Sequence, residues 1–129
     1  MEEKKKVVYI LGPLDGRGME HYALVDDMLA DLGYETISPV LIPESLDKGK
    51  AHFIAAAMIN SADAVVVLPD WEKSKDAVAE HHLAYCFGTP MVEMEYTSRS
   101  YQGPAVNPPD IIKAWLKHDL EQVLEEVSA

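Results

Sequence analysis

The sequence predicts an α/β fold, a flavodoxin/Rossmann-like doubly wound three-layer sandwich with a parallel sheet of four to five strands. Two observations carry that expectation. Strand-like and helix-like segments alternate four times with short connections, the pattern of a parallel sheet covered by helices. The segment "DAVVVLP", residues 63 to 69, is apolar without alternation, as a central strand buried on both faces should be.

Each element has its own signal. "KVVYIL", residues 6 to 11, is β-branched and aromatic and is broken by Gly12-Pro13, which marks a first strand. From Gly18 to Leu32, the residues Tyr22, Leu24, Val25, Met28, Leu29 and Leu32 fall on a helical stripe, and Gly33 is the expected stop. A second strand is expected over Glu35 to Val40, ended by prolines, and a second helix from about Lys50 to Ser61. Residues 74 to 88 read as a third helix, with Ser74 as N-cap and Gly88 as stop; it is alanine-rich and expected to be buried almost all round. "PMVEMEY" gives a fourth strand. The segment 97 to 110, rich in Ser, Gly, Pro and Asn, reads as a loop. Beyond it, Ile111, Ile112, Trp115, Leu116, Leu120, Val123, Leu124 and Val127 repeat at helical spacing and give a final amphipathic helix.

Length and composition narrow the function. With 129 residues, 48% of them hydrophobic, the chain is expected to form one domain over 1–129. A formal charge of -11 argues against nucleic acid or an anionic membrane as partner, so a bound phosphate would have to be held locally. No segment has the length of a membrane span or the pattern of a signal peptide, and a reducing, cytoplasmic setting is expected. The single cysteine, Cys86, is expected to be a buried structural thiol.

In a doubly wound sheet, ligands bind beyond the carboxyl ends of the strands. That rule selects "GPLDGRG" after the first strand, "PDWEKSKD" after the third and the segment after the fourth. The glycines of the first loop could lay backbone N–H groups against a phosphate, although the spacing matches neither a dinucleotide fingerprint nor a Walker loop, and a tight turn explains it equally well. Ser74 is an N-cap that would also lie opposite that loop. Glu80 shares a helix face with Ala77, Leu83, Ala84 and Phe87, and a carboxylate buried there needs a partner or a raised pKa. Its place in the second turn of a helix leading from the crevice makes it a candidate nucleophile or acid/base group. The five histidines are not spaced as metal ligands, and no metal or cofactor is expected.

"VYILGPLDG", "SADAVVVLPDWEKS" and "AVAEHHLAYCFGTPMV" together resemble the nucleoside 2-deoxyribosyltransferase-like superfamily, which includes the 2'-deoxynucleoside 5'-phosphate N-hydrolases, over residues 7 to 94. The small phage and bacterial branch of that superfamily is the most similar. The resemblance implies that Glu80 attacks the anomeric carbon of a deoxyribose, with Tyr9 hydrogen-bonding and positioning it. It implies that Gly12, Pro13 and Leu14 cover the sugar and base, and that Ser74, six residues before Glu80, contacts a 5'-phosphate. Trp71 is a candidate to stack on the base or, alternatively, a packing anchor. The implied protein is a homo-oligomer in which a neighbouring subunit completes the site, with segment 97 to 110 a candidate for that contribution.

One departure stands out. The resemblance places an aspartate on helix two, eight residues before Asp63, to assist the leaving base, and this chain has Ala55 there. The partner is absent or supplied from elsewhere, for instance by Asp15, Asp70 or Asp76. The expected activity is therefore hydrolysis or base exchange at the N-glycosidic bond of a 2'-deoxynucleoside 5'-monophosphate. The alternatives are a catalytically inactive nucleotide-binding module of the same fold and, more remotely, a receiver-type phosphoacceptor domain; for the latter "YILGPLDG" offers no acidic pair.

Overall fold

The computed structural model describes residues 4–14, 17–94 and 108–128. Four strands, β1 (Val7–Leu11), β2 (Glu35–Ile37), β3 (Ala64–Val67) and β4 (Met91–Glu93), form one sheet in the order β2-β1-β3-β4. Every pairing is parallel, with Tyr9 opposite Ile37 on one side and Val65 on the other. Parallel neighbours require crossovers, and these are α1 (Arg17–Asp31), α2 (Lys48–Ser61) and α3 (Lys75–Phe87), followed by α4 (Pro108–Ser128).

Alternation along the central strands sends side chains to two separate cores. Val8, Ile10, Ala64, Val66 and Leu68 meet Val25, Met28 and Leu29 of α1 and Leu116 and Leu120 of α4. Tyr9, Leu11, Val65 and Val67 face the other way and meet Ile59 of α2 and Ala77 and Ala84 of α3. The sheet is thus wound on both faces, and the order in which strands are added switches sides between β1 and β3.

The ends of the helices obey local chemistry. Asp47 caps α2 by accepting from the Lys50 N–H, and Ser74 caps α3 by accepting from the Ala77 N–H at 3.3 Å. Gly33 and Gly88 take positive φ of 93° and 73° after α1 and α3, the left-handed turn that glycine makes without a Cβ penalty.

The structure corrects three expectations. The second strand stops at Ile37, because Pro39 has no N–H for the ladder and opens a 3-10 turn, Pro39–Leu41, instead. Helix α3 is not buried all round: it packs on the sheet and on α2, and its outer side leaves Val78 and Tyr85 exposed. Phe87 is exposed too, as the last helical residue before the Gly88 reversal. Cys86 is exposed rather than a core thiol, because it lies on that outer side, with Sγ 3.5 Å from His82 Nε2. The 97 to 110 segment falls largely outside the described residues, its last three positions opening α4.

Candidate functional site

The site is built where β1 and β3 end. Tyr9 points to the α2/α3 side because it sits one residue from Val8 and Ile10, which point to the other. Helix α3 starts directly after the loop that follows β3, so its second turn passes beneath the end of β1. Glu80 occupies that turn, and the Tyr9 hydroxyl donates a hydrogen bond to Glu80 Oε1. Among the described residues Glu80 is the only buried charged side chain, 4% exposed.

Burial is the main force on Glu80. Loss of solvent disfavours the carboxylate and lifts its pKa from 4.5 to about 7. The Tyr9 hydroxyl acts in the opposite direction, because a donated hydrogen bond stabilises the charged form. Asp76, a like charge one turn earlier, raises the value further, and His52 lowers it. Burial and the Glu80 charge together push the Tyr9 hydroxyl well above the usual phenol range, so it remains a proton donor.

Glu80 forms the floor of a cavity of about 350 Å³ lined by Gly12, Leu14, Lys48, Lys73, Ser74, Lys75 and Asp76. The loop after β1 reaches this cavity by close contact with β3. A Cβ on Gly12 would lie 2.7 Å from the Cβ of Leu68, so a side chain has no room there. The Gly12 carbonyl accepts a hydrogen bond from the Tyr22 hydroxyl at 2.7 Å. In the loop after β3, Asp70 sits in the left-handed region at φ 66° and pairs with Lys73 of the cavity lining at 3.3 Å.

Six of the residues singled out from the sequence meet here: Glu80, Tyr9 hydrogen-bonded to it, Ser74, Asp76, Gly12 and Leu14. Pro13 is half-buried beside them and does not line the cavity. Trp71 does not line it either. Its indole stacks flat on His81, centroids 3.9 Å apart and planes 6° from parallel, and packs against the α2/α3-side core. His81 is in turn 3.6 Å from a Glu93 carboxylate oxygen. Ala55 is buried in the core at 2% exposure. Asp15 and Gly16 lie outside the described residues.

Two features escaped the reading of the sequence. Lys48, Lys73 and Lys75 converge on one cavity in a chain of net charge -11. The "EKSKD" run around Ser74 was visible, but Lys48 joins it only through the packing of α2 on α3. The second feature is His52, whose Nε2 lies 3.1 Å from Asp76 Oδ1 across the same helix pair. No signal in the sequence brings residues 52 and 76 together. Among the described residues no group of three His, Cys, Asp or Glu side chains could hold a metal ion.

Comparison with known proteins fits this geometry. The chain belongs to the family described as a domain of unknown function, DUF4406, whose model matches residues 6–93. No curated protein sequence matches it. Among solved structures, the chain is similar to the 2-deoxyribosyltransferase of the psychrotolerant bacterium Bacillus psychrosaccharolyticus. The TM-score is 0.60 and the identity 16%, over 82% of this chain and 90% of that one. It is also similar to the 2-desoxiribosyltransferase of Leishmania mexicana, with a TM-score of 0.55 and 19% identity over 79% and 78% of the two chains. The fold is therefore that of the nucleoside 2-deoxyribosyltransferases.

Proposed function

We propose that the cavity takes a 2'-deoxynucleoside 5'-monophosphate and breaks its N-glycosidic bond, with Glu80 as nucleophile. The observation that carries this reading is a buried carboxylate, hydrogen-bonded by Tyr9, at the floor of a cavity whose rim holds Lys48, Lys73, Lys75 and Ser74. The ammonium groups of Lys48 at the start of α2 and of Lys73 and Lys75 on either side of the α3 N-cap, with the Ser74 hydroxyl, suit a phosphate dianion, which the net charge of the chain would otherwise repel. The phosphate then holds the sugar over Glu80. As the glycosidic bond breaks, positive charge builds on the anomeric carbon, and a carboxylate beside it stabilises that charge and captures the carbon. Water completes hydrolysis, whereas a second base completes transfer. Likeness to the two deoxyribosyltransferases supports the reaction class.

A panel of deoxynucleoside monophosphates and free deoxynucleosides, followed by chromatography of the released base, tests this reading. Monophosphates should be preferred, and Glu80→Gln should cut turnover by about a thousandfold or more. Base release unaffected by Glu80→Gln would remove Glu80 from the role of nucleophile. The second reading, an inactive nucleotide-binding module, is motivated by Ala55, whose methyl group offers no proton to a leaving base. It requires saturable nucleotide binding with no base released.

We also infer a cytoplasmic homo-oligomer. Phe53 on α2 and Tyr85 on α3 are 81% and 73% exposed on the layer that carries the site, apolar surface that a second copy would cover. No described helix is long and apolar enough to cross a membrane. Sedimentation equilibrium of the wild type, compared with a Phe53→Ser, Tyr85→Ser double variant, checks the assembly.

A further inference from the structure

We propose that Asp76, held by His52, is the second carboxyl group of the site and exchanges protons with the leaving base and the attacking water. This rests on the N-glycosidic reading above and supplies what position 55 lacks. Asp76 and Glu80 are four residues apart on α3, so their side chains are neighbours on one helix face, with Cβ atoms about 6 Å apart. Both line the same cavity. Retaining glycosidases separate their two carboxyl groups by about 5 Å, and neighbouring side chains on one helix face are within reach of that separation.

His52 explains how Asp76 is fixed. It lies on α2 one turn before Ala55, on the same side of that helix, and its Nε2 meets Asp76 Oδ1 at 3.1 Å. The contact engages one oxygen and leaves Oδ2 for the substrate. An alanine at 55 and a histidine at 52 thus amount to a transfer of the acid from α2 to α3, with α2 retaining the support. His52 and Asp76 are each a little under half exposed, as a proton-exchanging pair at a cavity rim must be.

The two carboxyl groups must carry one proton between them. The first step draws on the form in which Glu80 is ionised, which the hydrogen bond donated by the Tyr9 hydroxyl stabilises. The charged groups around Asp76 are Lys48, Lys73 and Lys75 on the cavity rim, Glu80 on its own helix and His52 on α2. In the first step a Glu80 oxygen bonds to the anomeric carbon as the carbon–nitrogen bond breaks. The electron pair of that bond goes to the base nitrogen, which takes the proton from Asp76. In the second step water bonds to the anomeric carbon and gives a proton to the Asp76 carboxylate, while the carbon–oxygen bond to Glu80 breaks and returns its pair to Glu80.

Leaving-group dependence tests the assignment. Two substrates are compared: a purine deoxynucleoside monophosphate, whose base must be protonated to leave, and a nitrophenyl 2-deoxyriboside 5-phosphate, whose nitrophenolate leaves without a proton. Asp76→Asn should lower purine release by about 100- to 10,000-fold and nitrophenolate release by less than about tenfold. Glu80→Gln should abolish both. His52→Ala should lower kcat on the purine substrate with little change in KM, and His52→Gln, which can still donate to Asp76, should restore most of it. Equal losses on the two substrates, or unchanged purine release by Asp76→Asn, would overturn the role of Asp76 and leave that of Glu80 standing. A wild-type protein that releases neither base nor nitrophenolate would overturn the N-glycosidic reading and this one with it.

Discussion

The two faces of the sheet are packed by different kinds of side chain. On the α1/α4 face, Val25, Met28, Leu29, Leu116 and Leu120 close a core of large aliphatic residues. On the α2/α3 face the helices contribute Ala55, Ala77 and Ala84 with Ile59, and the space admits Tyr9 and the Glu80 carboxyl. Large side chains bury more apolar area per residue and exclude water, so the first face supplies stability. Small ones let α3 approach the end of β1 closely enough for Tyr9 to reach Glu80, at the cost of burying a carboxyl group. A difference in residue volume between the two helical layers therefore separates holding the fold from doing chemistry.

Mutations on the two faces should separate in the same way. Leu29→Ala or Leu120→Ala, at fully buried positions, should each cost about 3 kcal/mol in urea unfolding. A loss below about 1 kcal/mol would contradict the division of labour between the faces. On the other face, Glu80→Gln should alter the pH dependence of stability. The folded protein holds its Glu80 proton up to a pKa of about 7 while the unfolded chain releases it near 4.5, so folding binds a proton between those values. The stability contributed by protonated Glu80 is complete below about pH 4.5 and is lost as pH rises through about 7. Glu80→Gln removes that loss, worth about 1–3 kcal/mol, and should be more stable than wild type at pH 8 by thermal unfolding. A variant that melts below the wild type at pH 8 would show that the carboxylate is stabilised in place.

Smaller effects mark the edges of the site. Ser74→Ala should cost about 1 kcal/mol through loss of the α3 cap, and Ser74→Asn, which caps equally well, should restore it. In a nucleotide-binding measurement the two substitutions should differ less, because neither keeps the serine hydroxyl. Removing the charge of Lys48 with Lys48→Gln should leave the melting temperature within about 2 °C of wild type. It should nevertheless weaken phosphate binding measured by calorimetry, and that weakening should diminish as salt is added.

Much of this was legible in the chain. The uninterrupted apolar run at Ala64–Val67 places β3 at the centre of the sheet, because a strand covered on both faces has no polar side to show. Ser74 and Gly88 bound α3 by local rules of capping and left-handed turns. Glu80 stood out because a carboxylate among alanines on a helix face needs a reason to be there. Resemblance to a known family added Tyr9 as its partner, and the structure joins the two. Trp71 illustrates the opposite case: its flatness and position suit stacking on a base, and it stacks on His81. Both outcomes satisfy the sequence equally, since an aromatic ring in a loop does not carry the identity of its neighbour.

Secondary structure and the central carboxylate follow from the sequence by itself, because hydrophobic period, caps and breakers act over a few residues. Three things required the tertiary structure. The outer side of α3 was decided by packing on one face of a layered sheet, which turned Tyr85 and Cys86 outward. The cationic rim was decided by α2 lying against α3, which brought Lys48 to Lys73 and Lys75. His52 and Asp76 met for the same reason, across 24 residues of chain. Contacts between helices depend on how two helices are placed against a common sheet, and that placement is a property of the whole core and not of any short segment.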